Sequence, residues 1–465
     1  MPVAAHTLSA LGPNALISAL GLLRGPERTV PAPDEDWRLA VVDVVIHTRG
    51  HQHDIAYCLA SLLAQDHPVR RLVLIDDGGA LGDHAVQIAS EFALANAMPL
   101  EVIERKWSLG RAPTLKRQAR EMDCDVLFVI DGDVVLESPD YIRRCVQTLY
   151  EGAGIASVAG TSRPMRARDR RRWATGDGFR RWVASDPYID PRLRGDRWHR
   201  LTTWLAAAFH ESTGRFQQGF LDRGQMALFG GIAVSHGRAT AYRRGYLKDV
   251  FDRFEPIYGD ALTGMPDLFV AMALNNEGYR NVRLADVHAH APVRSLEQLP
   301  LRHGRATSAY MQSCVEFDAL LRSPFKWPRR LWRRWRASAR GTPDARRVVE
   351  AYRQPFGERL TREQGRPIGW AQAAAALDKV LVPALAVALV ALGMAGAALG
   401  LLLVDAVVWV AVVAATATGG ERMRVLGRAL ASTPLRSLLM FADLLTVVAG
   451  MLRLAPAPLR LRRAG

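Results

Sequence analysis

From residue 41 the chain alternates apolar runs with stretches of helical spacing. VVDVVIH (41–47), RLVLIDDGG (71–79), LEVIER (100–105) and DVLFVI (125–130) read as strands, the first and last as buried ones. Between and after them, apolar positions recur at helical spacing over 54–65, 83–96, 113–121 and 139–150. This βαβα order predicts a mostly parallel sheet covered by helices on both faces. In such sheets ligands bind at the carboxyl ends of the strands.

The pattern changes near the C-terminus. Residues 380–418 are apolar except for a few small polar side chains and Asp405. As one helix they would reach about 58 Å at roughly 1.5 Å per residue, against a hydrocarbon core about 30 Å thick. A helical hairpin turning near 393–400 is expected, and a buried soluble helix pair is the alternative. A further apolar stretch covers 435–454. The intervening loop, 419–436, carries several arginines and points to the cytoplasm. The tail RLRRAG is basic too, and three full crossings would put it outside, so the two basic segments disagree by one crossing. Upstream, SPFKWPRRLWRRWRASARG (323–341) interleaves tryptophan with arginine. It reads as an amphipathic helix on an anionic leaflet, with nucleic-acid binding as the other use of that composition. ALISALGLL (15–23) is too short to span a bilayer and reads as an interfacial helix. The expected organisation is an N-terminal segment (1–39), a catalytic domain (40–320), a basic interface region (321–375) and a membrane region (376–465).

Charge sharpens this picture. The 465 residues hold 61 Lys and Arg against 46 Asp and Glu, a formal charge of +15. Such a balance suits a polyanionic partner: nucleic acid, a membrane surface or a phosphorylated substrate. Cys58, Cys124, Cys145 and Cys314 form no CxxC pair and read as reduced thiols of a cytoplasmic domain. No GxGxxG follows the first strand and no P-loop is present, which argues against NAD and P-loop nucleotides.

Two acidic pairs end predicted strands: Asp76-Asp77 after the second, and Asp131 and Asp133 in VLFVIDGDVVLESPD after the fourth. Either pair alone fits a polar turn. Together, at one end of a parallel sheet, they suit a cation and a phosphorylated ligand.

Six short segments in order resemble glycosyltransferase family 2, with the GT-A fold, and within it the membrane-bound hyaluronan, cellulose, chitin-oligosaccharide and alginate synthases. They are ASLLAQDHPVRRLVLIDDGG, SLGRAPTLKRQA, VIDGDVVL, GRATAYRRGYL, TGMPDLFVAMALNNEGYRN and PLRHGRATSAY. The resemblance covers about residues 40–320. It implies a GT-A domain followed by amphipathic interface helices and transmembrane helices. The implied activity is inverting transfer from a nucleotide sugar, UDP-linked by the same resemblance, to a growing polysaccharide, assisted by Mg²⁺ or Mn²⁺. Asp133 would ligate the metal of this DXD motif, and Asp131 would contact nucleotide or ribose and the metal. Asp76 and Asp77 would contact uridine. Arg111 stands where a basic residue lies near the nucleotide; a solvated helix-start arginine is its plainer reading. Asp267 would be the base, although Pro266 replaces the acid that precedes it in the family, and helix capping is its plainer role. The Q-x-x-R-W motif becomes Arg302-His303-Gly304-Arg305-Ala306: Arg305 would face the diphosphate, while the stacking Trp is lost. Tyr310 is a substitute from the next turn. His236 falls on the acceptor side, or is an ordinary loop histidine. The arginine-rich 162–182 has no family counterpart and reads as a solvated surface or a lid. Other readings are single-sugar transfer to a polyprenyl phosphate or glycolipid, and a nucleic-acid- or membrane-binding scaffold. The implied partners are the donor, a glycan or lipid-linked acceptor, membrane lipid, and a membrane partner or second copy, with no nucleic acid. The implied place is the plasma or inner membrane, with the catalytic domain in the cytoplasm.

Overall fold

The computed structural model describes residues 9–25, 35–78, 83–183, 197–235, 238–254, 265–293, 296–338 and 357–451. Eight strands form one mixed sheet: β1 (Val42–Thr48), β2 (Arg71–Asp76), β3 (Leu100–Glu104), β4 (Val126–Asp131), β5 (Val135–Leu136), β6 (Ile155–Met165), β7 (Ala239–Arg243) and β8 (Arg280–Pro292). Their order is β3-β2-β1-β4-β7-β6-β8-β5. The first four are parallel, as the βαβα pattern requires. β7 then runs antiparallel between β4 and β6, and β8 pairs with β6 in parallel and with β5 in antiparallel fashion.

The sheet has a core on each face. On one side Val44, Ile46, Phe128 and Ile130 pack against the helices Ile55–Leu63, Ala85–Ala95 and Tyr141–Glu151. On the other, Val45, Val73, Leu127 and Val129 meet helices Arg111–Glu121, Arg244–Arg253 and Pro266–Glu277. Alternate residues of β1 and β4 thus enter different cores, which explains why their sequences are apolar without interruption.

Three C-terminal helices, Gly369–Ala391, Ala395–Ala415 and Arg422–Met451, are long and apolar enough to cross a membrane. The first two form a hairpin turning at Leu392–Met394, where Gly393 takes a φ of +76°. The segment 419–436, expected as a loop, is mostly helix: a single helix runs from Arg422 through Pro434 to Met451. Its residues Val425, Ala429, Ser432, Arg436, Leu439 and Asp443 fall on one buried stripe, and that helical period outweighs the arginines between them. Helix Ser323–Ser338 leaves Phe325, Trp327, Leu331, Trp332 and Trp335 exposed. Residues 452–465, with the basic tail, lie outside the described residues.

Candidate functional site

Strand register assembles the site. In the parallel ladders Thr48 of β1 lies opposite Asp76 of β2, and His47 lies opposite Asp131 of β4. The acids at the ends of β2 and β4 therefore flank the last residues of β1. The Gly132 N–H donates to the His47 carbonyl at 2.8 Å, and the Val134 N–H to the Asp131 carbonyl at 2.9 Å. Asp131-Gly132-Asp133 is thus a turn folded across the tip of β1. A Cβ at Gly132 would stand 3.1 Å from Ile55 Cδ1 and 3.2 Å from Thr48 Cβ, so a glycine keeps the turn closed on the strand end. Asp133 is buried, with its Oδ2 3.9 Å from His51 Nε2.

Arg111 opens helix Arg111–Glu121 and joins two separate acids. Its Nη1 lies 2.7 Å from Asp131 Oδ1, and its Nη2 lies 3.4 Å from Asp267 Oδ1. Burial disfavours its charge, but the carboxylates of Asp131 and Asp267 outweigh it and raise the guanidinium pKa further. Asp267 sits in the first turn of helix Pro266–Glu277, behind Pro266 at the helix start. The N-cap is Met265, which makes no side-chain cap bond, so Asp267 is not the capping residue. Burial raises the Asp267 carboxyl pKa, and the Arg111 charge holds it partly down. His47 is pushed down to about 4, chiefly by burial and then by Arg111, and is neutral at physiological pH.

The neighbouring acids Asp76 and Asp77 differ. Asp77 accepts from Arg105 Nη1 at 3.1 Å, Ser108 Oγ at 2.8 Å, Leu109 N–H at 2.9 Å and Gly110 N–H at 2.8 Å. Burial alone would raise its pKa; those donors, led by the Leu109 N–H, bring it below the ordinary carboxylate value. Its carboxylate organises the loop that delivers Arg111. Gly78 assists, with a φ of +68° and a hypothetical Cβ 2.8 Å from Ser108 N. Asp76 ends β2 only partly buried.

A cavity of about 160 Å³ is bordered by Glu137, Arg163, Glu211, His288, His290 and Thr416. Glu137 is four residues beyond Asp133. His290 Nε2 is 3.0 Å from Glu137 Oε2, and that bond holds the Glu137 carboxyl down to about 2. His288 is hydrogen-bonded to the Thr161 hydroxyl; burial above all brings it down to about 4. The βαβα reading missed these residues because it stopped before β8. The spacing of two histidines in DVHAHAP was the available signal: period two places both on one face of a strand.

The remaining expected positions disperse. Arg305 is exposed and Arg302 half-buried on helix Leu299–Glu316. Tyr310 is fully buried, its hydroxyl donating to the Gln372 carbonyl at 3.0 Å, which leaves no ring face for an acceptor. The apolar pattern of PLRHGRATSAYMQSC turns that side chain into the core, where the absent Trp cannot be replaced. His236 lies outside the described residues. In the arginine-rich 162–182, Arg170 is buried against Asp54 at 2.7 Å and Arg166 meets Glu211 at 3.0 Å, so part of that stretch is structural cement and not a solvated surface.

Residues 43–251 match the family model for Glycosyl transferase family 2. The matched region contains Asp76, Asp77, Arg111, Asp131 and Asp133, and ends before Asp267 and the two cavity histidines. The architecture is a mixed α/β domain followed by helices long and apolar enough to cross a membrane. Among solved structures, the chain is similar to a mannosyltransferase from Pyrobaculum calidifontis in complex with GDP-Man and Mn²⁺, at 16% identity over 94% of each chain, with a TM-score of 0.49. It is also similar to glucosyl-3-phosphoglycerate synthase from Mycobacterium tuberculosis in complex with Mn²⁺, UDP and phosphoglyceric acid. That match has 16% identity, 59% of this chain, 79% of that one and a TM-score of 0.36. A third, TarS 1-349 from S. aureus with UDP-GlcNAc, has 15% identity, 58% and 66% coverage and a TM-score of 0.35. No curated protein matches the sequence.

Proposed function

We propose that this chain is a metal-dependent, inverting glycosyltransferase that moves one sugar from a nucleotide-sugar donor, UDP-linked, to an acceptor at a membrane surface. The observation that carries it is Arg111 between Asp131 and Asp267. One guanidinium holds an acid of the glycosyltransferase-family domain beside an acid contributed by a later helix, at the ligand-binding end of the sheet.

Asp131 and Asp133 would hold Mg²⁺ or Mn²⁺. Among the described residues no three Asp, Glu, His or Cys side chains are gathered to hold an ion alone. That suits a hard cation taken by one or two carboxylates together with substrate phosphates. When bound, the ion would offset charge on the departing diphosphate. Asp76 would meet the nucleoside. Asp267 would accept the acceptor hydroxyl proton as the acceptor oxygen bonds to the anomeric carbon. The bond from that carbon to the diphosphate oxygen breaks, and the nucleoside diphosphate leaves with the electron pair. Burial keeps the Asp267 carboxylate poorly solvated and hence a stronger base, while Arg111 keeps enough of it ionised. The cavity beside Glu137 would receive the acceptor.

Single transfer is favoured over polymer building by Tyr310, whose ring is committed to the core. A cytoplasmic catalytic domain is favoured by four free, buried cysteines. The test is nucleotide release and product sizing with purified protein, UDP-sugars first and GDP-mannose next, with Mn²⁺ or Mg²⁺ and then with chelator. One lipid-linked or small product dependent on metal is expected. A ladder of products would replace this reading with polymer synthesis, and salt-sensitive RNA or DNA binding without sugar transfer would replace it with a scaffold.

A further inference from the structure

Residues 380–404 contain no polar side chain, yet this apolar hairpin does not stand alone along its whole length. In the C-terminal half of helix Ala395–Ala415 one face is packed into protein, while Val407 on the other face is 67% exposed. Trp409, Val413 and Ala417 are buried with Phe216 and Leu221 of the catalytic domain. Asp405, at the middle of the same helix, accepts from Ala10 N–H at 2.8 Å, Leu11 N–H at 3.1 Å and the Ser9 hydroxyl at 3.1 Å, and pairs with Arg436. The partner helix is fixed at a similar depth. Lys379 and His303 both reach Asp443, at 3.3 Å and 2.8 Å, and Asn14 N–H reaches Asp378 at 3.2 Å. Val382 packs with Phe209, Leu299 and Leu439. Above this charged layer protein contacts fade, and almost every residue of 387–397 is exposed. Leu392 at the turn is 75% exposed.

The free part is short. From Lys379 to Leu392 is thirteen steps along the helix, about 20 Å, and from Met394 to Asp405 eleven steps, about 16 Å, at roughly 1.5 Å per residue. A crossing needs about 30 Å of hydrocarbon. Drawing this charged layer and the catalytic-domain residues packed against it into lipid to supply the difference would be costly. We infer that the hairpin is a re-entrant anchor that enters one leaflet, turns near the bilayer midplane and returns, so that neither helix crosses. The occupant of its surface is lipid. The tip is apolar on all sides, whereas a protein partner would cover one face. Its base carries the features of a membrane interface: the N-terminal helix Pro13–Arg24 exposes Leu16, Leu20 and Leu23, and helix Arg197–Phe216 exposes Trp198 and Trp204.

The test uses full-length protein carrying Met394→Cys or Gly396→Cys. The native cysteines are buried, and a Cβ at Gly396 meets nothing within 4 Å. Glu421→Cys serves as the control on the catalytic-domain side. With a membrane-impermeant maleimide, the tip cysteines are expected to stay unlabelled in intact and in permeabilised cells, while Glu421→Cys labels only after permeabilisation. In vesicles of neutral and anionic phospholipid, bimane at 394 should be quenched more by nitroxides deep in the acyl chains than by those near the headgroup. Labelling of the tip in intact cells would establish a full crossing and overturn the inference. So would efficient disulfide formation between tips without lipid quenching, which would make a second copy the occupant.

Discussion

Two groups of aspartates in this chain invite comparison. At the ligand-binding end of the sheet, Asp131 and Asp267 share Arg111, one guanidinium ion-paired with two carboxylates. At the hairpin base, Asp405 has Arg436 and three further donors, and Asp443 has Lys379, His303 and the Thr307 hydroxyl. Residue type is the same in both places; the difference is how completely the charge is answered. Under-answered carboxylates at a ligand-binding edge are suited to a cation and a phosphorylated donor. Fully answered ones are internal cross-links, costly to break and silent in chemistry.

The largest effect should come from breaking a cross-link. Asp405→Ala leaves the Arg436 guanidinium buried without its carboxylate, and about 3–5 kcal/mol of stability should be lost. Thermal unfolding in detergent measures it. Asp405→Leu combined with Arg436→Met should recover much of the loss, because apolar side chains of similar size replace the pair. If the double variant is as unstable as the single one, the pair is doing more than neutralising itself.

Next comes the opposite signature. Asp133→Asn should lower sugar transfer by about 10²–10³-fold, the scale of losing one element of charge stabilisation in a transition state, with the melting temperature nearly retained. Equal turnover in the variant would remove Asp133 from the metal site. A collapse in stability would move it into the cross-link group and erase the contrast drawn above.

Much of the donor half was legible in the sequence, and much of the other half was not. Strands β1, β2 and β4 declare themselves because each is buried on both faces, and a carboxylate after such a run has few reasons to be there. β7 and β8 are short on that signal: ATAYR and RNVRLADVHAHAP mix polar and apolar residues, and their partners are far along the chain, β7 inserting antiparallel between β4 and β6 and β8 running parallel to β6. Asp267 was readable through its place before a helix, but the arginine that reaches it comes from 156 positions earlier. The apolar run 380–418 gave the hairpin and its turn. It could not give the depth, because that depends on Asp405 meeting residues 9–11, nearly 400 positions away.

Asp76 and Asp77 carry the same comparison at the scale of one peptide bond. Asp77→Asn replaces an acceptor-only carboxylate with an amide that must turn a donor toward the Ser108 hydroxyl or the Gly110 N–H. A loss of about 2 kcal/mol is expected for a buried, charge-assisted cluster. Because the folded pKa is depressed, the carboxylate's contribution is present above the ordinary carboxylate value and is lost as pH falls through the folded value. The gap in melting temperature between wild type and variant should therefore narrow in acid. Asp76→Asn should leave stability nearly unchanged and raise the donor KM. Reversed outcomes would return Asp77 to the donor site.

The smallest effect is the most diagnostic for the base. Arg111 lowers the Asp267 carboxyl pKa against the burial that raises it. In Arg111→Gln that opposition disappears, and the carboxyl should rise further. A base works deprotonated, so the acid limb of the kcat/KM profile should move to higher pH. Below the limb the variant should lose activity relative to wild type, and above it the gap should shrink to whatever Arg111 contributes to donor binding. Arg111→Lys keeps a positive charge and should keep the limb near its original place. An acid limb that stays fixed in Arg111→Gln would mean that the titrating group is not Asp267, and the base would have to be sought among the carboxylates bordering the cavity, where Glu137, held near 2 by His290, would leave activity intact to much lower pH.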